Sequence, residues 1–267
     1  MSYWRHAPKA TYAVLGDPVG HSWSPALHSA ALDAMGRAET YVALQVPLEE
    51  FNEALDSLQS QGYVGVNCTV PLKEAAHRWA ASFVGPSDRF GAINTLRLSD
   101  RAGLNTDVPG FFETLDELGI EPPGPVLMLG AGGTARSLLI GLVDRGFDVS
   151  LFNRTREKAE SLRDELKIEF EILPDLVIKD EVMVLNATSA GLSGESLAID
   201  WSRARREIVA YDLLYAAEPT PFLRDAAGQG IHGVDGRHML VAQAALALEF
   251  WTSEPVSREI MMGALPG

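Results

Sequence analysis

A lysine occupies an unexpected place in the stretch VNCTVPLKEAA, residues 66–76. An apolar run ends there at Pro71, whose fixed backbone angle suits the first turn of a helix, so the pattern predicts a strand followed at once by a helix. Lys73 then lies in the first helical turn, where the partial positive charge of the helix disfavours its ammonium form. A lysine in such a place is a candidate acid or base, and Lys73 is the first candidate catalytic residue.

Three segments end apolar runs with small polar residues: NCTVPLK, GAINT and GLNTD. Ligands of open α/β sheets bind at the carboxyl ends of the strands, so these segments predict a site for a small polyol. For any one asparagine, a role as a turn former is an equally good interpretation. The candidates are Asn67, Thr69, Lys73, Asn94, Thr95, Asn105, Thr106 and Asp107.

Two serines precede Pro25 in the stretch GDPVGHSWSPALH. If this segment is extended, the hydroxyls of Ser22 and Ser24 point the same way beside a helix N-terminus, where together they can bind a carboxylate. Ser24 is equally well explained as an ordinary N-cap of the helix that Pro25 begins.

A glycine-rich turn follows the apolar run VLML and opens a helix. Gly130, Gly132 and Ala135 have the G-x-G-x-x-A spacing, which allows a tight turn and lets backbone N–H groups approach a pyrophosphate. An ordinary glycine-rich turn between strand and helix is the alternative interpretation. The strand before the turn and the helix after it favour a dinucleotide site.

The end of the next strand, DVSLF, indicates which dinucleotide is bound. An NAD site usually has an acidic residue about 20 positions after the glycines, whereas this chain has NRTREK there. A guanidinium and a hydroxyl suit a 2′-phosphate, so Asn153, Arg154, Thr155 and Lys158 predict NADP rather than NAD. The alternative is that Arg154 and Lys158 are solvated charges at a helix start. A later strand end, expected where the cofactor crosses the sheet edge, adds Asn186, Thr188 and Gly191.

The elements that must position these residues alternate along the chain. The β-α-β-α-β-α order of the first half predicts a largely parallel sheet covered by helices, and residues 92–107 predict an antiparallel hairpin at its edge. The proline-rich stretch IEPPGP indicates a domain boundary, after which a second alternation begins. The predicted helices span residues 25–35 and 48–59, a stretch that begins near Pro71 and holds Lys73, and residues 111–119, 134–145 and 156–166. Two more follow from Arg237 and separate near Pro255. The predicted strands are YAVLG, YVALQV, YVGVNCTV, VLMLGAGG, DVSLFN, FEIL, VMVLNAT, IVAYDLL and GIHGVDG.

Composition limits the classes of function. The chain has 267 residues, of which 46% are hydrophobic and 22% charged, as in a globular protein of one large or two modest domains. Its net charge of -14 argues against broad nucleic-acid binding. Cys68 is the one cysteine of the sequence, which excludes an intramolecular disulfide and fits a reducing cytoplasm. No signal-peptide core, no apolar run of about 18 residues and no metal-ligand spacing of histidines are found, so we expect neither export, a membrane span nor a metal.

Taken together, the motifs of this chain resemble those of one known family, the shikimate dehydrogenases. The similarity covers nearly the whole chain through GDPVGHSWSPALH, GVNCTVPLKEAA, GAINTL, GLNTDVPGF, GAGGTAR, NRT, NATSAG, DLLY and GRHMLVAQ. These motifs in this order are specific to the family, whereas no single one is. The resemblance implies an NADP-dependent oxidoreductase that reversibly reduces 3-dehydroshikimate to shikimate in chorismate and aromatic amino-acid biosynthesis.

The resemblance also implies the architecture, which is α/β with two domains. An N-terminal α/β substrate-binding domain, residues 1–109 and 238–267, packs against a Rossmann-type NADP-binding domain, residues 110–237. The C-terminal helices return to the substrate domain, and the active site lies in the cleft. The implied partners are NADP and shikimate or 3-dehydroshikimate, with no nucleic acid and no membrane, and we expect a cytoplasmic monomer or homodimer.

Residue by residue, the resemblance implies a role for each matched position. Lys73 and Asp107 would form the catalytic pair. The substrate carboxylate would be held by Ser22, Ser24 and Tyr215, and the ring hydroxyls by Asn67, Thr69, Asn94, Asp107 and Gln243. The cofactor-binding residues would be Gly130, Ala131, Gly132, Gly133, Thr134, Ala135, Asn153, Arg154, Thr155, Lys158, Thr188, Gly236 and Met239, and no metal is implied. The chain departs from the usual family residues at Ser29, Thr134 and Ala217.

Lys73 is our hypothesis for the group that protonates the alkoxide formed when hydride reaches the C3 carbonyl. The alternatives are that Asp107 carries the proton or that Lys73 mainly stabilises the alkoxide. The helix N-terminus favours neutral lysine and Asp107 favours charged lysine, so the sequence leaves its protonation open. Rival functions are a quinate/shikimate dehydrogenase using NAD or NADP, a folate-linked dehydrogenase and a catalytically silent nucleotide-binding regulator.

Overall fold

The computed structural model describes residues 2–191 and 194–266, which form two compact units. The first unit comprises Met1–Gly110 and Leu240–Gly267, and the second comprises Phe111–Met239. The domain ranges predicted from the sequence differ from these bounds by one and two residues. Those ranges also include four residues outside the described part, which are Met1, Leu192, Ser193 and Gly267.

Helices and strands alternate through most of the chain. The strands are β1 (Ser2–Tyr3), β2 (Tyr12–Gly16), β3 (Tyr41–Gln45), β4 (Gly65–Cys68), β5 (Ser82–Phe83), β6 (Thr95–Arg97), β7 (Ala102–Leu104), β8 (Pro125–Leu129), β9 (Asp148–Phe152), β10 (Glu171–Ile172), β11 (Met183–Asn186), β12 (Val209–Asp212) and β13 (His232–Val234). The α-helices are α1 (Ser24–Ala34), α2 (Phe51–Ser60), α3 (Lys73–Trp79), α4 (Asp107–Glu117), α5 (Gly133–Arg145), α6 (Arg156–Leu166), α7 (Pro221–Gly228), α8 (Arg237–Thr252) and α9 (Arg258–Gly263). Short 3-10 helices cover Trp4–His6, Leu48–Glu50, Gly85–Phe90 and Trp201–Arg203.

The first unit is built on a seven-stranded mixed sheet in the order β1-β3-β2-β4-β6-β7-β5. Strands β1 to β4 are parallel, as helical connections between them require, whereas β6 is antiparallel to both β4 and β7. Fully buried side chains such as Leu15, Leu44 and Val66 form its core. The largely parallel sheet and the hairpin predicted from the sequence are therefore confirmed.

The C-terminal helix α8 completes the core of the first unit through Trp251. The indole stacks on Tyr12 at a centroid distance of 4.7 Å, and its Nε1 donates to Leu96 O at 3.0 Å. Gly65 has no side chain to obstruct this ring, which a Cβ at that position would overlap. The expected return of the C-terminal helices to this domain is confirmed.

The second unit contains a fully parallel six-stranded sheet in the order β10-β9-β8-β11-β12-β13. Its central strands are continuous apolar runs with buried residues such as Leu127, Val184 and Ala210, as expected for a sheet that is covered on both faces. This order, which reverses direction at β8, is that of a Rossmann-type domain. The predicted fold class is confirmed.

Several element boundaries differ from the sequence-based prediction. Helix α4 begins at Asp107 rather than after Gly110, because Asn105 Oδ1 accepts from Val108 N at 3.1 Å and so caps an earlier turn. Pro71 lies in the turn before α3, not inside the helix. The hairpin is not the sheet edge, since β5 pairs outside β7. Strands β1 and β5 and helix α7 were not predicted.

Candidate functional site

Strand order brings the three polar segments of the first unit together. Strands β4 and β6 are antiparallel with Asn67 opposite Thr95, and Cys68 N donates to Asn94 O at 2.9 Å. Strand β7 then returns with Leu104 opposite Thr95, so the residues that follow β7 lie beside Asn94. The prediction that every segment ends a strand is wrong for Asn94 and Thr95, which stand at the beginning of β6.

Lys73 and Asp107 form a buried ion pair at this place. Lys73 Nζ donates to Asp107 Oδ2 at 2.5 Å, and the two side chains are 14% and 7% exposed. Each is the first residue of its helix, α3 or α4. The positive ends of the two helix dipoles therefore both lie at this ion pair. An amine and a carboxylate are thus held in one fixed arrangement.

Asn94 joins this ion pair to helix α8. Its Nδ2 lies 2.8 Å from Thr106 Oγ1, 2.9 Å from Asp107 Oδ1 and 3.3 Å from Gln243 Oε1. Its Oδ1 accepts from Thr106 N at 2.8 Å, which fixes the orientation of the amide. Four residues predicted to bind substrate are thereby brought together: Lys73, Asn94, Asp107 and Gln243.

Asn67 is oriented by buried partners on the same sheet. Its Oδ1 accepts from Tyr41 Oη at 2.7 Å, and its Nδ2 donates to Asn94 O and to Thr95 Oγ1, each at 3.0 Å. The ring of His28 stacks on Tyr41 at 4.0 Å, and complete burial lowers the pKa of His28 to about 3, so the imidazole is neutral. Both N–H groups of Asn67 are used within the protein. The amide can therefore serve a ligand hydroxyl only as an acceptor.

The paired serines lie together at the start of α1, although not in an extended segment. Trp23 is helical in conformation, with φ -85° and ψ -6°, and the serine hydroxyls are 3.1 Å apart. They meet because Ser22 Oγ accepts from Ser24 N at 3.3 Å in a tight local turn. Ser24 is the first helical residue and makes no side-chain cap, so the interpretation as an ordinary N-cap is wrong.

Thr69 is fixed at the end of β4 by its neighbour on β2. Thr69 N donates to Leu15 O at 2.8 Å, and the Thr69 methyl group occupies the space that a Cβ on Gly16 would need. Gly16 thus allows the close approach of two strand ends. Thr69 remains half-buried.

In the second unit, the glycine turn fits a pyrophosphate. Gly130 has φ +106°, and a Cβ there would stand 2.9 Å from Ala187 O, so no other residue suits the position. At Gly132 and Gly133, by contrast, a Cβ would meet no atom of the described residues within 4 Å. Helix α5 begins at Gly133, so open space lies over the backbone N–H groups of its first turn. Ala131 and Thr134 flank this space, and Ala135 is buried beneath it.

The residues predicted to select NADP follow β9. Arg154, Thr155 and Lys158 are exposed at the start of α6, and Asn153 Nδ2 donates to Thr155 O at 2.6 Å, which holds the turn. Thr155 occupies the N-cap position without a side-chain hydrogen bond to the helix, so its hydroxyl does not cap α6. A guanidinium and a hydroxyl at a helix N-terminus fit a phosphate.

Three further loops of this unit meet around Asp212. Asn186 Oδ1 accepts from Thr188 N and Oγ1 at 3.1 and 2.7 Å, while Asn186 Nδ2 donates to Asp212 Oδ1 at 2.9 Å. Gly236 N donates to Leu214 O at 3.0 Å, which places Gly236 against the segment before Tyr215. Tyr215 is half-buried, and burial raises the pKa of its hydroxyl. Met239 is buried in the first turn of α8.

Tyr215, predicted to share the substrate carboxylate with the two serines, belongs to the second unit, whereas Ser22 and Ser24 belong to the first.

Sequence reasoning missed three residues that hold the predicted site. Gly110 lets α8 approach α4, because a Cβ there would stand 2.8 Å from Gln243 N. Tyr41 orients Asn67, and Asp212 ties the loops of the second unit together. An aspartate that ends the apolar run IVAYD is a detectable signal, since a charge at a strand end requires partners. Gly110 and Tyr41 have no comparable local signal, because the contacts that make them important join positions far apart in the sequence.

Neither a metal site nor a membrane-spanning helix is found among the described residues. No group of three His, Cys, Asp or Glu side chains within residues 2–191 and 194–266 is arranged to hold a metal ion. Among the helices that the structure describes, none combines the length and apolar character needed to cross a bilayer.

Comparison with known proteins identifies the family. Residues 14–96 match the shikimate dehydrogenase substrate binding domain, and residues 236–265 match the shikimate 5′-dehydrogenase C-terminal domain. The chain is 39% identical over 256 residues to the NADP(+) shikimate dehydrogenase of Methanothrix thermoacetophila, covering 92% of this chain and 93% of that protein. It is 40% identical over 245 residues to that of Hyphomonas neptunium, covering 89% and 90% of the two chains.

A solved structure has the same fold. The shikimate 5-dehydrogenase of Thermus thermophilus in complex with NADP(H) and shikimate matches with a TM-score of 0.86 and 36% identity, covering 95% of this chain and 97% of that one. This chain and these proteins therefore agree in both sequence and fold over nearly their full length. The chain belongs to the shikimate dehydrogenase family.

Proposed function

We propose that Lys73 and Asp107 carry out the proton transfer in the NADP-dependent interconversion of 3-dehydroshikimate and shikimate, the activity that comes with this family. The observation that carries the proposal is the 2.5 Å contact between Lys73 Nζ and Asp107 Oδ2, with Asn94 on the other carboxylate oxygen and Gln243 adjacent. An amine, an amide and a carboxylate that converge in this way suit a ring with several hydroxyl groups.

The first unit binds and orients the ring in this proposal. Asn67 accepts a hydrogen bond from one hydroxyl through Oδ1, since its N–H groups are already used. Thr69, Asn94, Asp107 and Gln243 bind the remaining hydroxyls. The adjoining Ser22 and Ser24 hydroxyls receive the carboxylate at the start of α1, where the helix dipole favours an anion, together with Tyr215.

NADP supplies or accepts the hydride when it is bound. Its pyrophosphate would be cradled by Gly130, Ala131, Gly132, Gly133, Thr134 and Ala135, and its adenosine phosphate would be held by Asn153, Arg154, Thr155 and Lys158. Thr188 would bind the cofactor where it crosses the sheet edge, and Gly236 and Met239 would lie near the nicotinamide. The open N-terminus of α5 and the exposed Arg154 support this assignment.

Proton transfer is the task of Lys73. In the reductive direction its ammonium group donates a proton to the developing alkoxide at C3, and in the oxidative direction neutral Lys73 removes the hydroxyl proton. Asp107 holds the amine at a fixed distance and stabilises the ammonium form that results. The buried, low-dielectric setting makes this stabilisation larger than it is in water.

Cofactor and substrate choice is tested by measuring kcat/KM for NAD and NADP with shikimate and with quinate. We expect turnover with NADP and shikimate, because Arg154 and Thr155 follow β9 where an NAD site has a carboxylate. Turnover with quinate at a similar kcat/KM would favour the quinate/shikimate alternative, and absence of turnover with all four pairs would refute the proposal. For the setting we propose a cytoplasmic monomer or homodimer. The single cysteine of the sequence, Cys68, is buried, and the lack of a disulfide partner fits a reducing compartment.

A further inference from the structure

Asp212 is a carboxylate that the proton transfer described above does not use. It ends β12 directly beside Asn186, which ends the parallel strand β11, and both side chains are fully buried. A buried carboxylate is costly unless hydrogen bonds replace its lost water. The groups that donate hydrogen bonds to Asp212 therefore indicate which segments this carboxylate holds in place.

The partners of Asp212 are the loops that follow β11 and β12 and the helix that comes next. Oδ1 accepts from Asn186 Nδ2 at 2.9 Å and from Leu214 N at 3.1 Å, and Oδ2 accepts from Thr220 Oγ1 at 2.5 Å. Thr220 caps α7 by accepting from Leu223 N at 3.3 Å. Tyr215 lies in the loop between β12 and α7. The Asp212 carboxylate holds this loop at both ends, at Leu214 and at Thr220.

The network reaches two further segments through these partners. Asn186 Oδ1 accepts from both the N–H and the hydroxyl of Thr188, so the orientation of the Asn186 amide sets the position of Thr188. Leu214 O accepts from Gly236 N at 3.0 Å, and Gly236 lies so close to Leu213 that a Cβ would overlap its carbonyl. Thr188, Tyr215 and Gly236 all depend on the same buried group.

We propose that Asp212 is a positioning residue for both ligands of the enzyme, holding Thr188 and Gly236 for NADP and the Tyr215 segment for the substrate carboxylate. This inference rests on the proposed function of those three residues. Asp212 acts through its neighbours and does not touch the reacting atoms. The ionised carboxylate is the form that accepts all three hydrogen bonds, so positioning requires Asp212 to be charged.

The charge state of Asp212 is sensitive to pH. Burial raises the pKa of Asp212 to about 6, and the negative charge of Asp235 acts in the same direction, while the hydrogen bonds from Thr220, Leu214 and Asn186 act against it. Ligand affinity should therefore fall as pH decreases through about 6. Because a phosphate group such as the 2′-phosphate of NADP titrates in the same range, the informative quantity is the difference between wild type and an uncharged variant.

The test compares Asp212→Asn with wild type and with Asp200→Asn, a matched control in the same unit whose carboxylate accepts from Ser202 N at an exposed turn. We expect Asp212→Asn to weaken NADP binding in direct titrations and to raise the KM for shikimate, each about tenfold, with no loss of melting temperature. A tenfold change equals about 1.4 kcal/mol, the worth of one charge-assisted hydrogen bond. The control should match wild type.

The pH profile separates positioning from a structural role. We expect the decrease in NADP affinity below about pH 6 to be smaller in Asp212→Asn than in wild type. Wild-type affinities and an unchanged profile in Asp212→Asn would overturn the inference, and so would a lower melting temperature with unchanged affinities. A wild-type protein that binds NADP but does not oxidise shikimate would instead contradict the proposed function.

Thr220 provides a second variant pair if Asp212→Asn does not fold. Thr220→Val removes the hydroxyl that donates to Asp212 Oδ2, whereas Thr220→Ser keeps it. We expect the pH at which NADP affinity falls to move upward in Thr220→Val and to be restored in Thr220→Ser, because loss of the donor favours the protonated carboxyl. The same pH midpoint in both variants would overturn the inference.

Discussion

The substitution Gly110→Ala tests how the first unit places Gln243. Gly110 lies in the first turns of α4, where a Cβ would stand 2.8 Å from Gln243 N and 3.1 Å from its Cα. These atoms belong to the backbone of α8 and cannot move out of the way as a side-chain end does. Ordinary van der Waals contact begins at 3.4 Å, so the two helices must separate by about 0.6 Å.

The magnitude follows from two opposing effects. Overpacking of this kind costs about 1 to 3 kcal/mol, and the better helix propensity of alanine returns up to about 1 kcal/mol. The displacement also lengthens the 3.3 Å contact between Asn94 Nδ2 and Gln243 Oε1. Loss of one hydrogen bond to the substrate hydroxyl that Gln243 is proposed to bind is worth about 1 kcal/mol, which corresponds to a roughly fivefold rise in the KM for shikimate.

The assay is steady-state kinetics with shikimate varied at saturating NADP, together with thermal unfolding. Gly228→Ala is the matched control, because Gly228 lies at the exposed end of α7 and no atom of the described residues lies within 4 Å of a Cβ there. We expect the control to be neutral or slightly stabilising. Gly110→Ala with the KM and the melting temperature of wild type would refute the packing argument.

Three further predictions concern other residues. Arg154→Ala should raise the KM for NADP about 10-fold to 100-fold and leave the KM for NAD unchanged, and equal effects on both would contradict a phosphate contact. Tyr41→Phe should raise the KM for shikimate a few-fold at constant kcat, since it removes the 2.7 Å hydrogen bond to Asn67 Oδ1; an unchanged KM would show that Asn67 needs no such support. For Asp212 the pKa is raised from 3.8 to about 6 in the fold, so folding binds a proton and stability falls by about 3 kcal/mol as pH rises through this range. Denaturant unfolding should show this pH-dependent loss in wild type but not in Asp212→Asn.

Most helices and strands could be predicted from the sequence, because apolar strand runs alternate with segments of helical periodicity along this chain. Helix α6 has the predicted bounds, Arg156–Leu166. The start of α4 was mispredicted since the cap, Asn105, looked like a turn residue, and the helix continues upstream through Asp107. Strands as short as β1 and β5 carry no periodic pattern, and they exist through pairing with β3 and β7.

The candidate site could be predicted residue by residue but not as an arrangement. Lys73 and Asp107 are each conspicuous in the sequence, yet their contact depends on the antiparallel return of β6 and β7, which sets Asn94 beside the end of β7. Gly110 and Tyr41 act across many intervening residues, and local patterns do not encode such contacts. Family resemblance supplied the pairing of Lys73 with Asp107, and their catalytic roles stay a prediction.

The central claim, that Lys73 transfers the proton in an NADP-dependent shikimate dehydrogenase, is tested most directly by reduced-nicotinamide absorbance on mixing the protein with shikimate and NADP. We predict a rise in absorbance for wild type. For Lys73→Ala at saturating shikimate we predict a rate at least about 100-fold lower, with shikimate binding retained in a direct titration. No rise in wild type, or near-normal turnover in Lys73→Ala, would contradict the account.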